Sequence, residues 1–204
     1  VPVRKQLEDY QAKLANSRGH SETRDVPIYT NWALERSEVD AGGNAYFAYN
    51  STLYKYGPAG TLLWSTYTSV PDVGATLSPD GADVVLTGTP RGGSTWVTAA
   101  FASATGARRW LVTAAEGNAA IDVVVDSGRV YVTGQGVTGA GTPAIAYFMT
   151  VVAYDRATGA RLWRTDKKPS DAIGAAGLRI ALAPDGSVVV TGQASRGFLD
   201  WYTV

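Results

Sequence analysis

The sequence has no cysteine, one histidine and one methionine, and its 18 basic residues are matched by 18 acidic ones. Without cysteine there is no disulfide, thiolate metal site or cysteine nucleophile, although the redox compartment stays open because exported proteins also fold without disulfides. The single His20 rules out two-histidine metal motifs within the chain, and no metal site is expected. It is also the one residue able to serve as base of a Ser-His-Asp triad, yet it sits in a polar stretch, Asn16 to Glu22, outside the patterned part of the sequence. Balanced charge leaves no electrostatic footprint for a phosphate backbone or an anionic membrane, so nucleic acid is not an expected partner. No run approaches the ~20 apolar residues that span a bilayer. The start at Val1 is what processing or trimming would leave.

Against these absences stand 45% hydrophobic residues in a chain of 204, enough for a sizeable core and too many for intrinsic disorder. The 23 glycines, together with abundant Val, Thr, Tyr and Trp, favour strands joined by tight turns, and an all-β chain is expected. Low charge and many Gly, Ala and Thr residues suit an exported bacterial protein, secreted or at the cell surface.

Two landmarks recur along the chain. The first is a turn followed by tryptophan: Gly57-Pro-Ala-Gly60 before Trp64, Ala102-Ser-Ala-Thr-Gly106 before Trp110, and Asp155-Arg-Ala-Thr-Gly159 before Trp163, with the tryptophans 46 and 53 residues apart. The second is a glycine turn running into a β-branched strand that ends in Thr-Gly: Ser78-Pro-Asp-Gly81 to Gly88, Asp126-Ser-Gly128 to Gly134, and Ala183-Pro-Asp-Gly186 to Gly192. A degenerate copy opens at Asp40-Ala-Gly-Gly43. Each unit reads as four short strands, in the third copy about 121–125, 130–133, 148–154 and 160–164. A period of about 40–50 residues with four strands is the signature of a propeller blade.

These paired landmarks resemble the bacterial PQQ-like and related β-propeller repeat families, whose units look like Asp-Gly-x-Val-x-Val-Thr-Gly, a variable loop, then Val-x-Tyr-Asp-x-x-Thr-Gly-x-x-Leu-Trp. The resemblance covers residues 37–204 and is best in the third copy; the second departs at Ala102, where the third has Asp155, and the first has Gly57. It implies four-stranded antiparallel blades with the repeated indole packed between neighbours. For activity it implies quinone-cofactor dehydrogenases in some members and scaffolds, lectin-like binders or cofactor-free lyases in others. A quinone would need a complete ring with partners around its axis, more blades than this chain carries, so no cofactor is expected.

The expected organisation is an N-terminal helical or extended segment over residues 1–25, then a propeller over 26–204 with about four blades, the last incomplete. Leu7, Tyr10 and Leu14 stand at helical spacing and predict a short capping helix. Val26 to Thr30 reads as a strand that could supply the outer strand absent from the last blade. The rival is a second chain that completes the propeller.

Trp64, Trp110 and Trp163 share one position in the repeat, so all three are expected in the core, each worth about 3–5 kcal/mol if truncated. The Asp155 turn reads as local capping, with side-chain oxygens accepting backbone N–H groups and Gly159 at positive φ, and not as a calcium loop. Gly134 to Gly141 reads as a flexible hairpin loop, and Lys167-Lys168 as a solvated one.

The turns between the first and second and the third and fourth strands are short and share one face. The other connections vary: Thr89 to Thr95, Gln135 to Tyr147 and Gln193 to Asp200 within blades, and Thr66 to Gly74, Thr113 to Ala120 and Thr165 to Gly177 between them. Function on a rigid scaffold concentrates in such loops, so Arg91, Gln135, Asp166, Gln193, Arg196 and Asp200 are the expected ligand-binding residues. Their polar and planar groups suit a carbohydrate or peptide. The expected function is a binding or scaffold module; the alternative is a polysaccharide- or peptide-acting lyase or hydrolase, or part of a larger quinoprotein-like propeller. Asp72, Glu116, Asp166 and Asp200 offer carboxylates for an acid and a base, but no spacing fixes a pair, and no catalytic residue is assigned.

Overall fold

The computed structural model describes residues 37–49, 51–70, 74–78, 81–90, 93–139, 144–195 and 199–203, with the side chains of 74–77 and 199–203 left aside. The expected N-terminal helix and the strand at Val26 to Thr30 lie outside these residues. Every regular element among them is a strand. Blade 1 runs β1 (Ser37–Val39), β2 (Ala45–Tyr49), β3 (Thr52–Tyr56) and β4 (Leu62–Tyr67) in sheet order β1-β2-β3-β4, and blade 2 repeats it with β5 (Gly74–Leu77), β6 (Asp83–Gly88), β7 (Trp96–Ala102) and β8 (Arg108–Ala114). Blade 3 holds β9 (Gly117–Val125), β10 (Arg129–Thr138), β11 (Ala146–Asp155) and β12 (Arg161–Lys167); blade 4 holds β13 (Gly174–Leu182), β14 (Val188–Ser195) and β15 (Leu199–Thr203). All pairings inside a blade are antiparallel, while blades 3 and 4 are stitched into one seven-stranded sheet by a single parallel pair, Tyr147 with Gly174.

The inner strands β1, β5, β9 and β13 stand side by side in that order, so the blades fan outward from them. Alternation along a strand then buries both faces, each against a different neighbour. Val84 and Leu86 of β6 join Tyr46 and Leu53 in the core between blades 1 and 2, whereas Val85 joins Val132, Val152 and Tyr154 between blades 2 and 3. Tyr131, Met149, Ile180 and Val190 fill the next joint. This explains why β6 and β7 read as nearly continuous apolar runs.

The strands of blade 3 are longer than the sequence pattern predicts. β10 continues through Gly134-Gln-Gly136 to Thr138, so most of the expected flexible loop is strand. The glycines are there because the backbones crowd: an added Cβ at Gly134 would lie 1.9 Å from the Ala119 carbonyl oxygen, and one at Gly192, in the matching place of blade 4, 1.9 Å from that of Ala176. Both stand beside a bulge in the inner strand. Lys167 closes β12, and Lys168 donates to the Ala172 carbonyl at 2.9 Å, so the lysine pair is structured.

Candidate functional site

The Thr-Gly landmark sets the site. Thr133 uses its hydroxyl on the Thr150 carbonyl at 2.9 Å, which ties the middle of β10 to β11. The residue after each Thr-Gly stands beside an inner strand. In blade 2 that residue is Thr89, whose Oγ1 accepts from the Ala120 N–H at 2.8 Å. In blades 3 and 4 it is Gln135 and Gln193. Gln135 accepts from the Asn118 amide at 3.1 Å and, with Gln193, Tyr147, Ile173 and Ser195, lines a cleft of about 190 Å³ where blades 3 and 4 meet. The Ile173 N–H donates to the Ser195 carbonyl at 2.7 Å, holding the rim, while the Ile173 side chain is 72% exposed. Two amides, a phenol, a hydroxyl and an aliphatic surface converge here, and no lining side chain is charged.

The other expected site residues separate. Asp166 lies in β12, not in a loop, and is held there by the Arg164 guanidinium at 3.0–3.1 Å and by the Thr150 hydroxyl. Arg164 also binds Glu116 at 2.8 Å, and Arg161 takes the second Glu116 oxygen at 2.8 Å, leaving the Glu116 side chain 2% exposed. A bulge at Leu162 brings Arg161 and Arg164 onto one face of β12, and the same irregularity falls beside Trp64 and Trp110. Gly136 leaves room for this network, since an added Cβ would reach 3.0 Å from the Arg164 guanidinium. Gln193 and Gln135 likewise stand in strands, β14 and β10. Arg91, Arg196 and Asp72 lie outside the described residues, and Asp200 is placed only by its backbone, opposite Ala194.

A second cleft, about 480 Å³, opens on the short-turn face between blades 2 and 3, lined by Asp83, Arg109, Ser127, Asp155 and Arg156. Its charges serve one another: Arg156 donates to Asp83 at 3.1 and 3.3 Å, and Arg109 pairs with the other oxygen of the same carboxylate. Asp155 caps its own turn, accepting from the Thr158 N–H at 2.8 Å and hydroxyl at 2.7 Å, and these bonds hold its carboxyl below the ordinary range. Among the described residues no group of three or more His, Asp or Glu side chains could hold a metal ion, and no helix is long and apolar enough to cross a membrane.

Antiparallel blades set side by side about their inner strands, with blades 2 and 3 burying both faces against their neighbours, define the chain as a β-propeller. Solved structures share the fold. One is BamB from Moraxella catarrhalis, 18% identical at a TM-score of 0.54, covering 83% of this chain and 47% of that one. Another is the quinohemoprotein alcohol dehydrogenase from Comamonas testosteroni, 17% identical at a TM-score of 0.57, covering 83% of this chain and 33% of that one. This chain thus spans less than half the length of either. No family profile matches the sequence, and no curated protein matches it.

Proposed function

We propose that this chain is an exported binding or scaffold module of PQQ-like propeller type, which recognises a neutral carbohydrate or a peptide through the cleft between blades 3 and 4. The observation that carries the reading is the meeting of Gln135 and Gln193, equivalent residues of successive blades, beside Tyr147, Ser195 and Ile173. Primary amides both donate and accept, as do hydroxyls, so the lining can bond sugar hydroxyls or peptide groups in either sense. Tyr147 and Ile173 offer apolar surface for a sugar ring or side chain. The uncharged lining disfavours an ionic ligand. A hydrolase or lyase is the weaker reading, since Glu116 and Asp166 are engaged by arginines.

A glycan and peptide array followed by product analysis tests the proposal. The expected result is retention of neutral glycans or peptides without turnover. Conversion of a retained ligand overturns the binder reading, and retention of anionic ligands alone overturns the assignment of the cleft.

A further inference from the structure

The charged cleft between blades 2 and 3 has an uncharged counterpart one joint earlier. Arg109 and Leu63 each directly precede a repeat tryptophan, and Arg156 and Ser103 each carry the carbonyl that accepts an indole N–H. Asp83 and Asn44 each precede the residue paired across to Phe101 or Tyr56. The corner between blades 1 and 2 thus holds Asn44, Leu63 and Ser103 where the corner between blades 2 and 3 holds Asp83, Arg109 and Arg156. Blades join without charges at these positions, so packing does not require them.

The two arginines are held unequally. Arg156, its side chain 12% exposed, gives two hydrogen bonds to Asp83 Oδ2 at 3.1 and 3.3 Å. Arg109 approaches Oδ1 as an ion pair without hydrogen-bond geometry: that oxygen has no donor among the described residues, and the Arg109 side chain is 51% exposed. One buried carboxylate therefore faces two guanidiniums, and the surplus positive charge sits on the exposed one. In the same cleft Asp155 takes both Thr158 bonds on Oδ1, which keep it ionised at neutral pH. Arg129, opposite Asp155 in the register of β10 and β11, engages Tyr131 and Asp126 instead. Ser127 adds a hydroxyl to the lining. The volume, about 480 Å³, falls in the range of small-molecule sites.

We propose that this cleft binds a small zwitterion of the amino-acid or short-peptide class, with its carboxylate on the Arg109 guanidinium and its ammonium on Asp155. The Arg109 fork is not committed to Asp83 by hydrogen bonds, and a guanidinium takes a carboxylate through two parallel N–H groups. A ligand of one charge would leave the other wall unmatched, whereas one carrying both matches the two together. This cleft is distinct from the uncharged one at Gln135 and Gln193, and neither reading depends on the other.

Nuclear magnetic resonance titration of the full chain with triglycine, N-acetyl-triglycine and triglycinamide is the test, with the backbone amides of Gly128 and Thr158 as reporters. The expected result is triglycine binding with a Kd on the order of 1 mM, and binding about tenfold or more weaker for each blocked form, which lacks one charge. Arg109→Gln should lower triglycine to the level of triglycinamide. Asp155→Asn, whose amide oxygen still accepts the Thr158 bonds, should lower it to the level of the acetylated form. Free glycine separates the two sources: binding as tight as triglycine assigns the cleft to amino acids, and weaker binding assigns it to peptides. No shift at about 10 mM triglycine, shifts confined to Gln135 and Gln193, or equal binding of a blocked form would overturn the proposal. So would triglycine affinity unchanged in both variants, or inorganic phosphate bound as tightly as triglycine.

Discussion

Gly159 lies against the indole of Trp110, and the carbonyl of Arg156, three residues earlier, accepts the indole N–H at 2.8 Å. The relationship joins blades 2 and 3 and separates two reasons for a turn glycine. Gly159 needs both a left-handed backbone, at φ 74°, and room for the ring. Gly186, in the first turn of blade 4, has φ 82° but nothing within 4 Å of an added Cβ. Gly186→Ala should therefore show the backbone cost alone, about 1–2 kcal/mol. Gly159→Ala should cost a further amount on the order of 1–3 kcal/mol from overpacking. Denaturant unfolding of the two variants measures the difference, and equal losses would deny the ring contact any energetic weight.

The three repeat tryptophans are not equivalent, contrary to what their shared position implies. Trp110→Ala removes a buried ring and a bonded N–H and should cost about 3–5 kcal/mol. Trp163→Ala removes a ring already 38% exposed and should cost about 1–2 kcal/mol. Acrylamide should quench Trp163 emission more strongly than that of Trp110. Matching losses for the two substitutions would mean that Trp163 is covered in solution.

Arg164 stands between Glu116 and Asp166, and the Glu116 side chain is 2% exposed. Arg164→Ala should destabilise by about 3–5 kcal/mol, because it leaves a buried carboxylate with Arg161 as its remaining ionic partner. Adding Glu116→Gln to that variant should recover part of the loss. Chemical unfolding of the single and double variants gives the coupling; strictly additive losses would show that the pair does not act as a unit.

The repeats, and through them the blades, were legible because turn and tryptophan recur together at fixed offsets. Gln135 and Gln193 were legible as a pair for the same reason, each following a Thr-Gly. What the sequence hid was set by neighbours distant along the chain. Gly134 and Gly136 look like loop glycines, yet each fits under the carbonyl or side chain of another strand. Glu116 meets partners 45 and 48 residues away, and the bulge at Leu162 that turns both arginines toward it has no sequence signature. Asp166 passed for a loop residue because the end of β12 alternates polar and apolar weakly, and exposure on an outer strand resembles exposure in a loop.

Asp40 and Asp126 occupy matching first turns in blades 1 and 3, each accepting from two backbone N–H groups and from a tyrosine, Tyr46 at 3.0 Å and Tyr131 at 2.9 Å. Burial pushes both carboxyls up, but these hydrogen bonds outweigh it, aided by the Asn44 amide at Asp40 and the Arg129 charge at Asp126. Both are thus held below the ordinary carboxylate range. A depressed folded pKa gives stability that is present above about pH 4 and lost as pH falls through the folded value. Asp126→Asn should flatten the acid limb of a stability-against-pH curve. At the alkaline end burial and the Asp40 contact push Tyr46 up to about 12, so stability present below about pH 10 should fall as pH rises toward that value. An acid limb unchanged in Asp126→Asn would remove Asp126 from the account.

Gln135 and Gln193 line the cleft from half-buried positions, where Gln135 bonds to Asn118 and neither side chain belongs to an apolar cluster. Substitution of either by alanine should therefore change stability by about 0.5 kcal/mol or less. If the cleft holds a neutral ligand through amide hydrogen bonds, each substitution should lower affinity by roughly 5- to 10-fold, the worth of one uncharged hydrogen bond. Asp166→Ala should behave in the opposite way, losing stability through Arg164 while leaving binding of the folded fraction intact. Melting curves and titration calorimetry with a ligand taken from the array distinguish the two patterns. Binding that survives both glutamine variants but fails in Arg109→Ala, on the short-turn face, would move the site to the cleft between blades 2 and 3, where Arg109 is the more exposed of the two arginines around Asp83.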